Sequence, residues 1–240
     1  MFRELSDIIL PRQCVVCGDR LNRYEKHLCL HCLADLPMTY TWTMAHNPMA
    51  DKFNELLQRD LESYEPYVFA SSLFFYSGEA NYRKITQALK YHGNVSIGKM
   101  FGKALGERMA SAGHLSDVDA VIPVPLHWMR KWQRGYNQAE IIAEAIAETM
   151  HAELHTGLLY RRRNTKTQTR LDVEHKTLNV TGAFAVKEKA LAGLNDVRHI
   201  MLVDDVFTTG ATLKACYRTL RQYFPNSVRI SIATLGLVGG

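Results

Sequence analysis

From Tyr67 to the end of the chain, short apolar runs alternate with segments whose apolar residues recur every three or four positions. YVFASSLFFY (67–76) is apolar and aromatic and predicts a strand. EANYRKITQALKY (79–91) brings Tyr82, Ile85 and Leu89 to one helical face, and VSIGKMFGKALGERM (95–109) does the same with Ile97, Met100, Phe101, Leu105 and Met109. VDAVIPVPL (118–126) predicts a short buried strand ended by prolines. Asn137 followed by Glu140 has the form of a capping box opening a helix that carries Ile141, Ile142, Ala145 and Ile146. LLYRRR (158–163), GAFAV (182–186), HIMLVDDV (199–206) and SVRISIATLGLV (227–238) predict strands. ATLKACYRTLRQYF (211–224) predicts a helix with Leu213, Cys216, Tyr217, Leu220 and Phe224 inward. Apolar strands alternating with helices imply an α/β fold, a mostly parallel sheet with helices on both faces.

Two zones precede this pattern. Residues 41–66 are polar and lack a clear period, and predict a connector with one short helix near Asp51–Leu61. Residues 1–40 hold four of the five cysteines. The expected organisation is a small module over 1–40, a connector over 41–66 and an α/β domain over 67–240.

Composition narrows the class. At 240 residues, 47% hydrophobic and 22% charged, the chain is neither a disordered nor a fibrous sequence. No stretch approaches the roughly 18 apolar residues of a membrane span. MFRELSDIIL has neither the apolar run nor the cleavage site of a secretory signal, so a soluble cytoplasmic protein is expected. Lys and Arg total 29 against 24 Asp and Glu, a net charge of +5 that permits an anionic ligand or nucleic acid without demanding one. Five cysteines in such a chain argue against a disulfide framework.

Cys14-x-x-Cys17 and Cys29-x-x-Cys32 are separated by eleven residues. Each C-x-x-C turn presents two thiolates on one side, and two turns complete a tetrahedron for a structural Zn²⁺. An iron–sulfur cluster is the competing reading. Cys216 lies on the apolar face of its helix and reads as a core thiol.

HIMLVDDVFTTGATL (199–213) holds the most specific chemistry. An apolar strand stops at Asp204 and Asp205, and a small-residue loop, Thr208-Thr209-Gly210-Ala211-Thr212, opens directly into a helix. The loop and helix start offer backbone N–H groups and a positive dipole end to a phosphate. The adjacent carboxylates suit the vicinal hydroxyls of a ribose or a hydrated Mg²⁺. Neither a Walker A lysine nor a G-x-G-x-x-G pattern is present. A second strand–loop–helix, VIPVPLHWMRKWQRGYNQAE (121–140), carries Arg130, Lys131 and Arg134 before Gly135.

The first of these segments resembles the 5-phosphoribosyl-1-pyrophosphate (PRPP) motif of type I phosphoribosyltransferases. The resemblance implies PRPP contacts from Asp204, Asp205, Thr208, Thr209, Gly210, Ala211 and Thr212, with Mg²⁺ accompanying the ligand. It also implies a pyrophosphate loop, with Arg134 and Gly135 its best candidates. PVPLH…RGYNQ followed by VDDVFTTGAT is similar to the ComF family of competence-associated bacterial proteins. LKYHG (89–93), the run Arg163, Thr167, Gln168, Leu171, Asn179, Ala183 and Phe184, and the opening IILPRQCVVCG fit the same family. Trp128 and Trp132 beside the basic cluster, and Tyr136 where Phe is frequent, depart from it.

RRRNTKTQTRLDVEHK (161–176) carries six Lys and Arg against two acids. By position it matches the loop that closes over PRPP in phosphoribosyltransferases, which makes Lys166 and Arg170, with Arg134, the candidate catalytic cations. Nucleic-acid phosphates and plain solvent are the other partners open to it. Two functions follow. Family likeness implies a PRPP-binding protein of DNA uptake, with single-stranded DNA and a competence helicase as partners, at the inner face of the membrane through an uptake complex. The alternative is an active phosphoribosyltransferase of nucleotide metabolism that transfers 5-phosphoribosyl to a nitrogen base or amine.

Overall fold

The apolar runs at 70–75, 120–123, 199–207 and 229–237 lie side by side and point the same way. The computed structural model describes residues 11–59, 65–76, 81–91, 93–162 and 182–239. Within it β1 (Ala70–Phe75), β2 (Ala120–Pro123), β3 (Glu153–Leu154), β6 (His199–Phe207) and β7 (Arg229–Leu237) form one parallel sheet in the order β1-β7-β6-β2-β3. β4 (Leu159–Arg161) and β5 (Phe184–Val186) form a separate antiparallel pair.

Burial explains why these strands read as nearly continuous apolar sequence. Along β6, Met201 and Val203 pack on one side of the sheet, while Ile200 and Leu202 pack on the other. The first side is covered by α3 (Arg83–Tyr91), α4 (Val95–Ala110) and α6 (Gln138–Met150), the second by α2 (Pro48–Gln58) and α7 (Ala211–Arg221). The helix expected near Asp51–Leu61 starts earlier, because Asn47 caps it through Met49 and Ala50 N–H groups and Pro48 occupies its first turn. Its Met49, Ala50, Phe53 and Leu57 are buried against the sheet. At the start of α6, Asn137 accepts from the Ala139 N–H as expected, but Glu140 does not close a capping box; its carboxylate takes both its bonds from Lys131 Nζ at 2.9 Å.

Helices α4 and α6 approach closely along three glycines four residues apart, Gly98, Gly102 and Gly106. A Cβ on Gly102 would lie 2.9 Å from the Ile142 carbonyl oxygen and 3.0 Å from Ala145 Cβ.

The cysteine module, which contains the short helix α1 (Leu30–Ala34), does not stand apart. Cys14, Val16, Leu21, Leu28, Cys32 and Leu36 join the same apolar cluster as Leu73 and Phe74 of β1. Lys84 Nζ donates to the Val16 carbonyl at 2.9 Å, and the His27 ring sits 3.3 Å from Asn94 Nδ2 and 3.0 Å from Ser96 Oγ. The segment after it covers the outer edge of the sheet, with Thr39 N donating to Leu73 O and Phe75 N to Pro37 O. Among the described residues no helix is long and apolar enough to cross a membrane.

Candidate functional site

Strands β2 and β6 are neighbours, but the chain leaves them in opposite directions, from β2 toward β3 and from β6 toward β7. A crevice opens beyond the carboxyl ends of two such strands, the usual ligand position in an open parallel sheet. Here it is a cleft of about 550 Å³ whose lining includes Asp204, Asp205 and Thr212 from the β6 side, Arg130, Arg134 and Gln138 from the β2 side, and Lys90 and Arg161.

Both acids are only partly buried, yet their surroundings differ. Asp205 pairs with Lys90 Nζ at 2.5 Å. Burial would lower the Lys90 ammonium, but the Asp205 carboxylate outweighs it and holds the amine above its ordinary value. Asp204 accepts the Asp205 N–H through Oδ1 at 2.8 Å. Burial, and then the charge of Asp205, push its carboxyl up to about 7. Arg161 lies over the Phe184 ring at 5.3 Å, and burial and then the charge of Arg130 lower its guanidinium from its ordinary value. Arg161 therefore belongs to the cleft wall, not to an outward basic segment. Arg162, next in sequence, is exposed.

The loop over residues 208–212 begins where β6 ends. Gly210 caps α7 with φ +76°, and a Cβ there would also lie 3.0 Å from the Phe207 ring and 3.1 Å from Leu56, so both conformation and space call for glycine. Gly210 brings no capping side chain to this helix start. Thr209 Oγ1 accepts from Ala211 N at 3.4 Å, Thr208 is exposed, and Thr212 reaches the cleft. On the opposite wall Arg134 donates to Gln138 Oε1 at 2.9 Å and lies over the Tyr91 ring at 5.2 Å. Gln138 is 3% exposed and lines the cleft with its Nε2 unbonded. Gly135 takes φ +81° as the C-cap of α5 (Trp128–Arg134) and is exposed. Lys166 and Arg170 lie outside the described residues.

The structure thus brings Asp204, Asp205, Thr212 and Arg134 to one cavity and adds Lys90, Arg130, Arg161 and Gln138. Lys90 lay inside the LKYHG stretch, but no periodicity could reveal that it reaches a carboxylate more than a hundred positions away. Trp128 and Trp132 are 68% and 83% exposed, one turn apart on α5.

The four cysteines of the knuckles gather with all their sulfur atoms within 4.8 Å of one another. A tetrahedral Zn²⁺ site with Zn–S of about 2.3 Å has S···S edges of about 3.8 Å. Cys17 and Cys29 stand 3.7 Å apart, which fits that edge and is far too long for a disulfide. Cys29 Sγ accepts the Cys32 N–H at 3.4 Å. Burial disfavours charge on Cys14, but N–H groups of Cys17, Cys29 and Val16 outweigh it and draw the thiol down to about 6, while burial pushes Cys32 up. Cys14, Cys17, Cys29 and Cys32 can together hold a structural metal such as zinc, with no ligand position left open for catalysis. Cys216 is buried in the core on the inner face of α7.

No family model matches the chain. It is 32% identical over 114 residues to Competence protein F of Haemophilus influenzae, a match covering 47% of this chain and 48% of that protein. It is 27% identical over 203 residues to the DNA utilization protein YhgH of Escherichia coli strain K12, covering 83% of this chain and 80% of that one. Competence protein ComFC of Bacillus subtilis is 33% identical over 102 residues, 42% of this chain and 38% of its own length. The chain thus spans about half, four fifths and two fifths of these three relatives.

Proposed function

We propose, for a chain that belongs to the ComF family, that the β2–β6 cleft binds PRPP or a related phosphoribosyl ligand and that the protein acts in bacterial DNA uptake. The observation that carries the ligand reading is the pair Asp204–Asp205 at a strand end, beside the start of α7 and across from Arg134. The ribose hydroxyls donate to the carboxylates. The 5-phosphate takes the N–H groups and threonine hydroxyls of residues 208–212. The pyrophosphate faces the guanidinium groups of Arg130 and Arg134, whose planar forks match phosphate oxygens. Lys166 and Arg170, outside the described residues, are proposed to add positive charge at the pyrophosphate.

The DNA role rests on the relatives' names and on α5. Trp128 and Trp132 are open to solvent one turn apart on α5, so bases of a single strand can stack on them. Zinc in the knuckles serves folding. Titration calorimetry with PRPP, beside a binding assay with labelled single-stranded DNA at several salt concentrations, tests both halves. Trp132→Ala is expected to weaken DNA binding with little change in salt slope, because stacking releases few counterions. Absence of PRPP binding rejects the ligand reading; absence of DNA binding at low salt rejects α5 as the contact.

A further inference from the structure

The Mg²⁺ that type I phosphoribosyltransferases lead one to expect meets a poor donor set in this cleft. Mg²⁺ binds through one or two carboxylates together with phosphate oxygens and its own waters, in near-ideal octahedral geometry. Of the cleft's two carboxylates, Asp205 is already held by Lys90 at 2.5 Å, a pair whose side chains are 26% and 14% exposed. Asp204 accepts the neighbouring N–H and sits where burial and its neighbour's charge favour the protonated form. Drawing Asp205 toward a metal would leave the Lys90 ammonium in a largely enclosed place without its partner.

Lys90 is fixed from behind. Tyr136, the residue that departs from the family's phenylalanine, donates its hydroxyl to the carbonyl of Leu89, immediately before Lys90. Beside the main cleft a second hollow of about 340 Å³ is lined by Lys90, Arg130 and Arg134, with no carboxylate among its described lining residues. The two hollows together present Lys90, Arg130, Arg134 and Arg161 against Asp204 and Asp205. Such a field attracts a polyphosphate and repels a free divalent cation.

We propose that the cleft takes its pyrophosphate-bearing ligand without a divalent metal ion, Lys90 standing beside Asp205 as the fixed cation in the metal's stead. This deepens the PRPP reading and rests on it.

The test uses the full-length protein with its zinc retained, in buffer depleted of Mg²⁺ by chelating resin and in the same buffer with millimolar Mg²⁺. The probes are PRPP and inorganic pyrophosphate, read by titration calorimetry. Wild-type affinity is expected to agree within about threefold between the two buffers, because fixed cations already supply the neutralising charge. Lys90→Met is expected to lose at least about tenfold in Mg²⁺-free buffer, as truncating one partner of a charge pair does, and to recover most of it when Mg²⁺ is added. Lys90→Arg keeps the metal-independent binding. Wild-type binding that occurs only with Mg²⁺ overturns the proposal while leaving the PRPP reading intact. So does Lys90→Met, folded by circular dichroism, binding like wild type without Mg²⁺. If neither probe binds in either buffer, both readings fall. The wild-type comparison decides the matter even if Lys90→Met fails to fold.

Discussion

Asp204 and Asp205, adjacent in sequence, serve opposite sides of the sheet: Asp205 pairs with Lys90 from α3, while the charge of Asp204 bears on Arg161 and on Cys216 of α7. One strand end thereby holds two carboxylates in unlike states, one ion-paired and one raised to about 7 by burial and its neighbour's charge. In the unfolded chain Asp204 returns to the ordinary value of 3.8. Between these two values the folded state binds the extra proton, so this residue lowers stability as pH rises from 3.8 to about 7, and the full penalty persists at higher pH. Asp204→Asn removes that penalty. Its melting temperature is expected to exceed wild type at pH 8, by the equivalent of about 1–3 kcal/mol, and to differ much less at pH 5. A variant less stable than wild type at pH 8 contradicts the assignment.

At the other end of β6, His199 joins Ser231 Oγ at 2.7 Å and Asp117 Oδ1 at 2.9 Å, with Arg229 paired to the same aspartate. The order is that of a hydrolytic triad, but His199 and Ser231 are fully buried and no substrate reaches them. The group pins β6 to β7 and to the turn before β2. Burial lowers His199 from 6.5, and it lowers His27, His114 and His127 in the same direction. The unfolded chain therefore binds more protons as pH falls below about 6.5, and stability drops with it. His199→Gln is expected to cost about 2–4 kcal/mol at pH 7.5, by leaving Ser231 and Asp117 short of a partner, and to have a shallower stability loss between pH 7 and 5.5. Chemical denaturation at several pH values measures both; an unchanged slope rules out His199 as a contributor.

The α4–α6 contact depends on Gly102, where a methyl group would meet the Ile142 carbonyl at 2.9 Å. Backbone cannot step aside as a flexible side chain can, so Gly102→Ala is expected to destabilise by about 1–3 kcal/mol despite the better helix propensity of alanine. A stabilised variant in urea denaturation shows that the helices part at little cost.

Most strands were legible because burial on both faces leaves an almost unbroken apolar signature, and the cysteine and Asp-Asp-loop segments because their chemistry is local. What escaped was non-local. Glu153–Leu154 is too short a strand to carry a pattern. The Glu140 side chain serves Lys131 because α5 packs close by, and only the fold reveals that competing partner. Arg161 and Arg162 look alike in sequence, yet strand alternation turns one to the cleft wall and leaves the other in water. Residues 1–40 read as a module too short to bury a core alone, and the sequence could not say which elements would cover it; its described apolar residues merge with those of β1, α3 and α4.

That merger changes what metal loss does. Elemental analysis is expected to find about one zinc per chain, the stoichiometry of a four-thiolate site. Because Cys14, Cys32 and Leu28 share a cluster with Leu73 and Phe74, Cys29→Ser is expected to lower the main melting transition itself. A separate early transition that leaves the main one untouched, or iron in place of zinc, contradicts this account.

The most direct test of the cleft is PRPP titration calorimetry on wild type and on the double variant Asp204→Asn, Asp205→Asn. Both substitutions keep the shape of the strand end and replace the carboxyl groups proposed to receive the ribose hydroxyls. Measurable wild-type binding is expected, and the double variant is expected to lose it by at least about a hundredfold, since two carboxyl hydrogen-bond acceptors are replaced, while its circular dichroism spectrum stays unchanged. Equal affinity in a folded double variant would contradict that expectation and leave the cleft a general anion site.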